Sequence, residues 1–265
     1  MDKQRLREID LFLFDMDGTL WIGNRLFDFT AELLKRIREL GKRYLFITNN
    51  SSKSTSDYVA KLAHFGIAAT EEDFMTSAEA TAHFLLREAA DKRLYVCGTA
   101  SLKREFTEAG LLLTDDVRKA EAAVLGFDTE LEFGKLWDMS WLLCTKDVPY
   151  YATNPDLVCP TEFGSVPDCG SVAGMLYNVS GKMPQFIGKP SPLMIDMARQ
   201  AAGVPRERTA VVGDRIYTDI KSGINAGVLS VLVMSGETDG EILESSPDKP
   251  DMVLCDAGEI LDALR

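Results

Sequence analysis

The sequence has few cysteines and histidines, and neither residue type is arranged as a metal site. Its five cysteines are scattered and include no Cys-x-x-Cys pair. An odd, scattered set predicts free thiols in a reducing compartment rather than a disulfide framework. The two histidines, His64 and His83, lie in helical stretches among apolar neighbours. We therefore expect partly buried structural roles for them, and no zinc site.

The sequence also lacks long apolar runs and an excess of positive charge. No stretch approaches the roughly 20 apolar residues that cross a bilayer, and MDKQRLREID has no apolar core, so no signal peptide is expected. The 29 Lys and Arg residues oppose 41 Asp and Glu, a formal net charge of −12. This argues against nucleic-acid and membrane partners but not against a small anionic substrate, because a bound cation reverses the local field. We expect a cytoplasmic protein.

Short apolar runs alternate with helical patterns near both ends of the chain. The runs at 9–14 (IDLFLF) and 43–48 (RYLFIT) predict buried strands, and 30–40 and 54–65 predict helices. The last third repeats the alternation, with helices at 191–201 and 218–226 and strands at 209–213, 229–234 and 251–254. This order predicts an α/β fold with a doubly wound, mostly parallel sheet.

The middle of the chain has an α/β pattern of its own. Strand-like runs at 94–98, 122–127 and 149–154 alternate with helical stretches at 101–110 and 131–145. Such a segment can bury a separate core. The sequence therefore predicts an inserted α/β domain at 80–182 in a core domain formed by 1–79 and 183–265.

Polar side chains occur where the predicted strands end or a helix begins. They are Asp15 and Asp17 after the first strand, Thr48 and Asn49 after the second, Lys189 before the helix at 191, and Asp214 with Asp219 after the strand at 209–213. In an open parallel sheet, ligands bind in the crevice at the carboxyl ends of the strands. The pattern therefore predicts that these groups converge at one edge of the sheet.

This set of side chains is typical of phosphoryl-transfer chemistry. Clustered carboxylates repel one another unless a cation neutralises them, and oxygen ligands without His or Cys favour Mg²⁺ over zinc. A lysine and a hydroxyl can hold the other phosphoryl oxygens, and such electrostatic stabilisation carries most of the catalysis. A carboxylate can also attack phosphorus to form an aspartyl-phosphate.

Four motifs occur in a fixed order between residues 15 and 219. They are DMDGT after the first strand, a threonine after the second, the lysine of GKP, and GDRIYTD. These resemble the four motifs of the haloacid dehalogenase superfamily. The strings ITNNSS and ATNPD and the insertion between the second and third motifs are similar to its NagD-like, class IIA branch of sugar-phosphate and p-nitrophenyl phosphatases. The resemblance implies a Mg²⁺-dependent phosphatase with a large α/β cap closing over the site.

The resemblance also implies roles for the acidic residues. Asp15 would be the nucleophile and a metal ligand. Asp17 would protonate the leaving group, then activate water, and lend its backbone carbonyl to the metal. Asp214 would complete the metal site, with Asp219 as a ligand or its orienting neighbour.

The remaining roles concern the substrate and the partner. Thr48, with Asn49 and Asn50, would bind the phosphoryl group, and Lys189 would stabilise the charge of the pentavalent state. The substrate would be a small phosphorylated metabolite: a sugar phosphate, nucleotide, glycerol phosphate, phosphoglycolate or pyridoxal phosphate. The family's habit also suggests a homodimer formed through the cap.

Some of these residues have plainer interpretations. Acidic residues commonly begin helices, which is an alternative for Asp219. Asn50 is as well explained by the shape of a turn, and the stretch 154–156 by a turn as by substrate contact. Trp137 and Trp141 stand four apart on a helix, as core or subunit-contact residues do.

Three other functions use similar residues. A haloacid dehalogenase has no leaving alkoxide to protonate, and so has no evident need for Asp17. A phosphomutase would retain the phosphoryl group instead of giving it to water. A receiver-like signalling module would accept phosphate on Asp15, but it has no use for a large insert over the site. No G-x-G-x-x-G or P-loop pattern is present.

Overall fold

The structure is a computed structural model that describes residues 3–51, 55–161 and 163–265. Within these ranges, no helix has both the length and the apolar character needed to cross a membrane.

The chain forms two compact units. One, which we call the core unit, comprises the residues up to Thr48, Val59–Met75 and Lys189–Arg265. The other, which we call the inserted unit, comprises Asn49–Tyr58 and Thr76–Gly188. The predicted boundary between residues 79 and 80 falls inside a helix, Ser77–Glu88, because the sequence pattern did not reveal that helix.

The strands, in chain order, are β1 (Leu11–Phe14), β2 (Trp21–Ile22), β3 (Arg25–Leu26), β4 (Arg43–Thr48), β5 (Phe74–Thr76), β6 (Leu94–Cys97), β7 (Ala122–Leu125), β8 (Tyr150–Ala152), β9 (Val158–Thr161), β10 (Gly164–Pro167), β11 (Gln185–Phe186), β12 (Thr209–Gly213), β13 (Leu229–Val233) and β14 (Met252–Leu254).

The helices are α1 (Arg5–Glu8), α2 (Thr30–Glu39), α3 (Thr55–His64), α4 (Ser77–Glu88), α5 (Ala100–Glu108), α6 (Phe133–Thr145), α7 (Cys169–Ser180), α8 (Pro192–Ala202), α9 (Lys221–Ala226), α10 (Gly240–Ser245) and α11 (Gly258–Leu264). A π-helical turn, Ile216–Ile220, precedes α9.

The core unit is built on a six-stranded sheet of order β14-β13-β12-β1-β4-β5. The central strand β1 is buried at all four positions and pairs in parallel with both β12 and β4. A strand covered on both faces has no solvent-facing side, which explains its continuous apolar sequence LFLF. The α/β class with a parallel sheet is therefore confirmed.

The inserted unit is built on a four-stranded parallel sheet of order β11-β8-β7-β6. Alternate residues of β6 enter two different clusters. Tyr95 and Cys97 pack in one cluster with residues of α6 and α7, and Leu94 and Val96 pack in the other with residues of α4 and α5. This period of two follows from the pleat of the strand, and it gives the sheet a helical layer on each face.

Helix α7 is an element that the sequence pattern did not predict. Its sequence, CGSVAGMLYNVS, has glycines at positions 170 and 174, which lower helix propensity. Gly170 is required by a close approach, since a Cβ there would lie 2.1 Å from the carbonyl oxygen of Pro155. The tertiary packing of α7 therefore outweighs its weak local propensity.

Candidate active site

The register of the central strands aligns the residues that follow them. Phe14 of β1 lies level with Val212 of β12 and with Phe46 of β4. The backbone N–H of Asp15 continues the ladder, donating to the Val212 carbonyl at 2.8 Å. Asp214 follows the last residue of β12. Both carboxylates thus leave the sheet at its carboxyl edge.

Three carboxylates come together at this edge. One oxygen from each of Asp15, Asp214 and Asp219 lies within 4.8 Å of the others. Asp214 is 2% exposed and Asp219 is fully buried. Asp219 sits in the π-helical turn rather than in the regular helix expected over 218–226. We call these three residues the carboxylate cluster.

Lys189 joins two members of the carboxylate cluster. Its Nζ donates to Asp15 Oδ1 and to Asp219 Oδ1, each at 2.6 Å, and lies 3.4 Å from the Ile47 carbonyl oxygen. The lysine is 2% exposed. Burial alone would lower its pKa, but the two carboxylates outweigh burial and raise it. Lys189 is therefore a fixed positive charge in the site.

A single lysine does not neutralise three closely spaced carboxylates, two of which are buried. Burial and the charges of Asp15 and Asp219 raise the pKa of Asp214 to about 7. Burial and Asp15 raise the pKa of Asp219 to about 6, although Lys189 opposes the shift. The ionised cluster is electrostatically unfavourable near neutral pH, and a bound cation would relieve it.

Backbone groups and glycines shape the pocket around Asp214. The Glu237 N–H donates to Asp214 Oδ2 at 2.7 Å. A Cβ on Gly236 would lie 2.0 Å from Asp214 Oδ2, and one on Gly18 would lie 2.5 Å from it. Gly18 also has a φ of +83°, which favours glycine. Only glycine fits at these two positions while the Asp214 carboxylate stays where it is.

The other predicted core-unit residues surround the cluster differently. Thr48 ends β4 and is 9% exposed. The Asp17 side chain is 63% exposed, and its Oδ1 lies 3.9 Å from Lys61 Nζ. Lys61 in turn lies over the ring of the fully buried Trp21. The Asp17 side chain is thus more accessible than the three carboxylates, and a metal contact through its backbone carbonyl stays a prediction.

Asn49 and Asn50 belong to the inserted unit. Asn49 is buried, and its Nδ2 donates to Asp156 Oδ2 at 2.8 Å. Asn50 is partly buried. Their binding to a phosphoryl group stays a prediction, and the Asn49 side-chain amide is already engaged by a carboxylate of its own unit.

Arg215 and Glu237 are site neighbours that the sequence reasoning missed. The Arg215 N–H donates to Asp219 Oδ2 at 3.1 Å, and its guanidinium Nε lies 2.8 Å from Glu237 Oε2. Arg215 stands inside the GDRIYTD motif, so its place between two motif aspartates was a usable signal. Glu237 gave none, because the stretch 235–240 has the composition of an ordinary loop.

Two family models match the chain, one in its first half and one near its end. Residues 12–112 match the haloacid dehalogenase-like hydrolase model, and residues 186–260 match a further HAD-hydrolase-like model. An acid sugar phosphatase of Staphylococcus haemolyticus is 34% identical over 239 residues, which cover 90% of each chain.

Solved structures give the same answer over nearly the whole chain. The 4-nitrophenylphosphatase of Thermotoga maritima is 40% identical, with a TM-score of 0.93, and the match covers 98% of this chain and 99% of that one. A glycerol phosphate phosphatase of Mycobacterium tuberculosis, crystallised with magnesium, is 30% identical, with a TM-score of 0.88 over 98% of this chain and 78% of its own. The motifs and these matches agree: the chain belongs to the haloacid dehalogenase-like hydrolases, in their NagD-like p-nitrophenylphosphatase branch.

Proposed function

We propose that the protein is a Mg²⁺-dependent phosphatase that hydrolyses a small phosphorylated metabolite through an aspartyl-phosphate on Asp15. The observation that carries the proposal is the carboxylate cluster bridged by Lys189. Three closely spaced acids beside one lysine hold an excess of negative charge, which suits a cation bound together with a phosphate.

The residues of the cluster fit a hard divalent cation. Asp214 Oδ1 is buried and accepts no hydrogen bond from any described residue. An ionised, unpartnered oxygen is costly to bury unless a cation coordinates it. The cluster offers carboxylate oxygens without sulfur or imidazole, a donor set that favours Mg²⁺. Asp15, Asp214 and Asp219 would hold the ion with the Asp17 carbonyl, and the bound ion would supply charge neutralisation at the phosphoryl oxygens.

The first half of the reaction transfers the phosphoryl group to the enzyme. A carboxylate oxygen of Asp15 forms a bond to phosphorus while the bond from phosphorus to the ester oxygen breaks. Protonated Asp17 gives its proton to that oxygen, so the alcohol leaves neutral. The exposure of the Asp17 side chain leaves it accessible to the ester oxygen.

The second half returns the nucleophile. Asp17, now a carboxylate, takes a proton from water, and the water oxygen bonds to phosphorus as the Asp15–phosphorus bond breaks. Inorganic phosphate leaves and Asp15 is a free carboxylate again. Throughout, Lys189 and the Thr48 hydroxyl donate to phosphoryl oxygens, with Asn49 and Asn50 as further predicted contacts.

The other functions considered are less well supported. Dehalogenation would leave Asp17 without a leaving oxygen to protonate. A phosphomutase would have to keep water away from the phosphorylated Asp15. Among the similar proteins, the acid sugar phosphatase and the glycerol phosphate phosphatase are named for hydrolysis of phosphate esters. Sugar phosphates and glycerol phosphate therefore come first in a search for the substrate.

The experiment is a phosphate-release screen with the purified protein. We expect hydrolysis of p-nitrophenyl phosphate, loss of activity with EDTA, and recovery with Mg²⁺. We also expect Asp15→Asn to remain folded and to lose about 10⁴-fold or more in turnover. Near wild-type turnover by Asp15→Asn would refute the covalent route, and recovery with zinc alone would refute the metal assignment. A panel of phosphorylated metabolites would then identify the substrate.

We also propose that the protein forms a homodimer through the inserted unit. Helices α6 and α7 pack together and expose large apolar side chains, among them Trp137 at 67%, Phe133 at 75% and Val179 at 61%. Exposed apolar patches of this kind mark interaction surfaces. Trp137→Glu should halve the mass measured by light scattering. Phe163→Glu, on the hairpin of β9 and β10, should leave the mass unchanged; a monomeric wild type would contradict the proposal.

The compartment we propose is the cytoplasm. All five cysteines are free thiols, and two of them, Cys97 and Cys169, are fully buried. Free thiols are typical of reducing compartments. Fractionation of cells that produce the protein would test this assignment.

A further inference from the structure

The inserted unit buries a polar cluster of its own, of which the proposed reaction uses only Asn49. We call it the Asn154 cluster. It contains two carboxylates, which are 7% and 5% exposed, a fully buried asparagine, and one amide from near the start of the unit: Asp156, Asp168, Asn154 and Asn49. The two amides donate to one oxygen of each carboxylate, so this cluster constrains the segments that it joins.

The hydrogen bonds of the cluster have a fixed direction. Asn154 Nδ2 donates to Asp156 Oδ2 at 3.0 Å and to Asp168 Oδ1 at 3.1 Å. Asn49 Nδ2 donates to the same Asp156 Oδ2 at 2.8 Å. A carboxylate only accepts, so the Asn49 amide must keep its NH₂ group towards Asp156. Asp156 therefore fixes the orientation of Asn49.

Other segments of the inserted unit pack around Asn49. Ser77 Oγ donates to the Asn49 carbonyl at 2.6 Å. The Gly188 N–H donates to the Thr153 carbonyl at 2.8 Å. A Cβ on Gly188 would lie 2.6 Å from Asn49 Oδ1 and 2.5 Å from the Thr153 carbonyl oxygen, so no side chain fits at position 188 in this packing.

Two of these residues are sequence neighbours of residues that are predicted to bind the phosphoryl group. Asn49 follows Thr48, and Gly188 precedes Lys189. Resting on the function proposed above, we propose that Asp156 is a positioning residue for phosphoryl binding, acting through its hydrogen bond to the Asn49 amide. It does not contact the substrate. By holding Asn49, it fixes the peptide that follows Thr48.

A pair of alanine variants separates positioning from general destabilisation. Asp156→Ala and Asp168→Ala each remove one acceptor of Asn154, and only the former also removes the Asp156 acceptor of the Asn49 amide. Asp168 also caps α7 by accepting from the Cys169 N–H, so its loss should destabilise the unit at least as much. We expect Asp156→Ala to weaken inorganic phosphate binding and to lower kcat/KM for p-nitrophenyl phosphate about tenfold. Asp168→Ala should bind phosphate as wild type does.

Two further variants test the route through Asn49. Asp156→Asn keeps an acceptor oxygen at the Oδ2 position, so we expect it to restore most of the phosphate affinity. In Asn49→Ala the amide is gone, and adding Asp156→Ala should then cost nothing further in phosphate affinity. Phosphate affinity is measured by calorimetry with Mg²⁺ present, below the unfolding temperature of every variant.

The outcomes are distinguishable. Equal loss of phosphate affinity in the Asp156→Ala and Asp168→Ala variants, or additive losses in the double variant, would overturn the positioning role and leave the proposed function standing. A wild-type protein that neither binds phosphate nor hydrolyses p-nitrophenyl phosphate would overturn both.

Discussion

The core unit and the inserted unit each contain a group of carboxylates, but the groups receive different hydrogen-bond donors. In the core unit, Lys189 pairs with Asp15 and Asp219, and one oxygen of the nearby Asp214 accepts no hydrogen bond from any described residue. In the inserted unit, two acids receive neutral amide donors from Asn154. The first group is suited to accept a cation, and the second group is suited to hold chain segments together.

The comparison teaches that buried acids are not by themselves a sign of a metal site. Asp156 and Asp168 lie 12 residues apart in sequence and share one asparagine, which donates to one oxygen of each. Asp156 Oδ1, like Asp214 Oδ1, is buried and accepts no hydrogen bond from a described residue. Asp214 and Asp219 lie close to a third acid, and their pKa values rise because burial and mutual repulsion disfavour the charged forms. The close approach of three carboxylates, which the inserted unit does not show among its described residues, separates the two groups.

Of the changes proposed here, Lys189→Met should have the largest effect, and it acts on the core-unit carboxylates alone. Lys189→Met leaves the carboxylate cluster without its only hydrogen-bonded cation among the described residues. We expect kcat/KM to fall about 10³-fold at saturating Mg²⁺, and the metal-free protein to lose about 3–5 kcal/mol of stability. Kinetics and urea unfolding measure the two effects. Lys221→Met, which breaks a half-exposed pair with Asp248, should change stability by less than about 1 kcal/mol; equal losses would refute the special role of Lys189.

A methyl group added at Gly236 should impair the carboxylate cluster and leave the Asn154 cluster unchanged. A Cβ on Gly236 would displace the Asp214 carboxylate, since it would lie 2.0 Å from Oδ2. We expect Gly236→Ala to weaken Mg²⁺ binding and lower activity by about 100-fold. Gly240→Ala is the control, because a Cβ there meets nothing within 4 Å. Unchanged Mg²⁺ affinity in Gly236→Ala would show that Asp214 does not ligate the ion.

The two groups should also respond differently to pH. The pKa values of Asp214 and Asp219 in the folded protein, about 7 and about 6, lie above the ordinary 3.8. Between about pH 4 and pH 7, the folded state therefore binds more protons than the unfolded state. The stability that these bound protons contribute is complete below about pH 4 and is lost as the pH rises through 6 and 7. We expect the metal-free protein to lose a few kcal/mol over that range.

Two comparisons isolate this pH dependence. Asp214→Asn should flatten the fall of the melting temperature between pH 5 and 8, because one of the two groups no longer titrates. Mg²⁺ should raise the wild-type melting temperature more at pH 8 than at pH 5, since protons compete for its ligands. An equal Mg²⁺ effect at both pH values would contradict the assignment.

Breaking the Asn154 cluster should have the smallest effect, and one that metal does not repair. Asn154→Leu removes the donor shared by Asp156 and Asp168. We expect a loss of about 1–3 kcal/mol, measured by urea unfolding. The loss should be the same with and without Mg²⁺, in contrast to Lys189→Met. If Mg²⁺ restored the stability of Asn154→Leu, the Asn154 cluster would respond to metal as the carboxylate cluster does, which would contradict the comparison.

The sequence was sufficient to predict the core-unit cluster because its members follow a simple rule. Asp15 and Asp214 directly follow buried strands, and parallel strands place such residues at one edge whatever their order in the sheet. Lys189 was found from its place before a helix and within a motif. The family assignment, which was drawn from the same residues, is confirmed by the comparisons.

The contacts that the sequence did not reveal are those between distant residues with no local pattern. Gly236 looks like an ordinary loop glycine, and only the position of Asp214 shows why it must be small. The resemblance implies a phosphoryl contact for Asn49, which stays a prediction; no local pattern indicated that its amide donates to Asp156, 107 residues away. The helix predicted over 218–226 begins as a π-helical turn, because the backbone there must bring Asp219 back towards Arg215.

The three tryptophans give the molecule optical reporters of both units. Trp21 is fully buried, its backbone carbonyl accepts from the Gly18 N–H, and Lys61 lies over its ring. Trp137, by contrast, is open to a collisional quencher such as iodide. Replacing Trp137 and Trp141 with phenylalanine would leave Trp21 as the sole tryptophan, so tryptophan fluorescence excited at 295 nm or beyond would follow the DMDGT turn without any added dye.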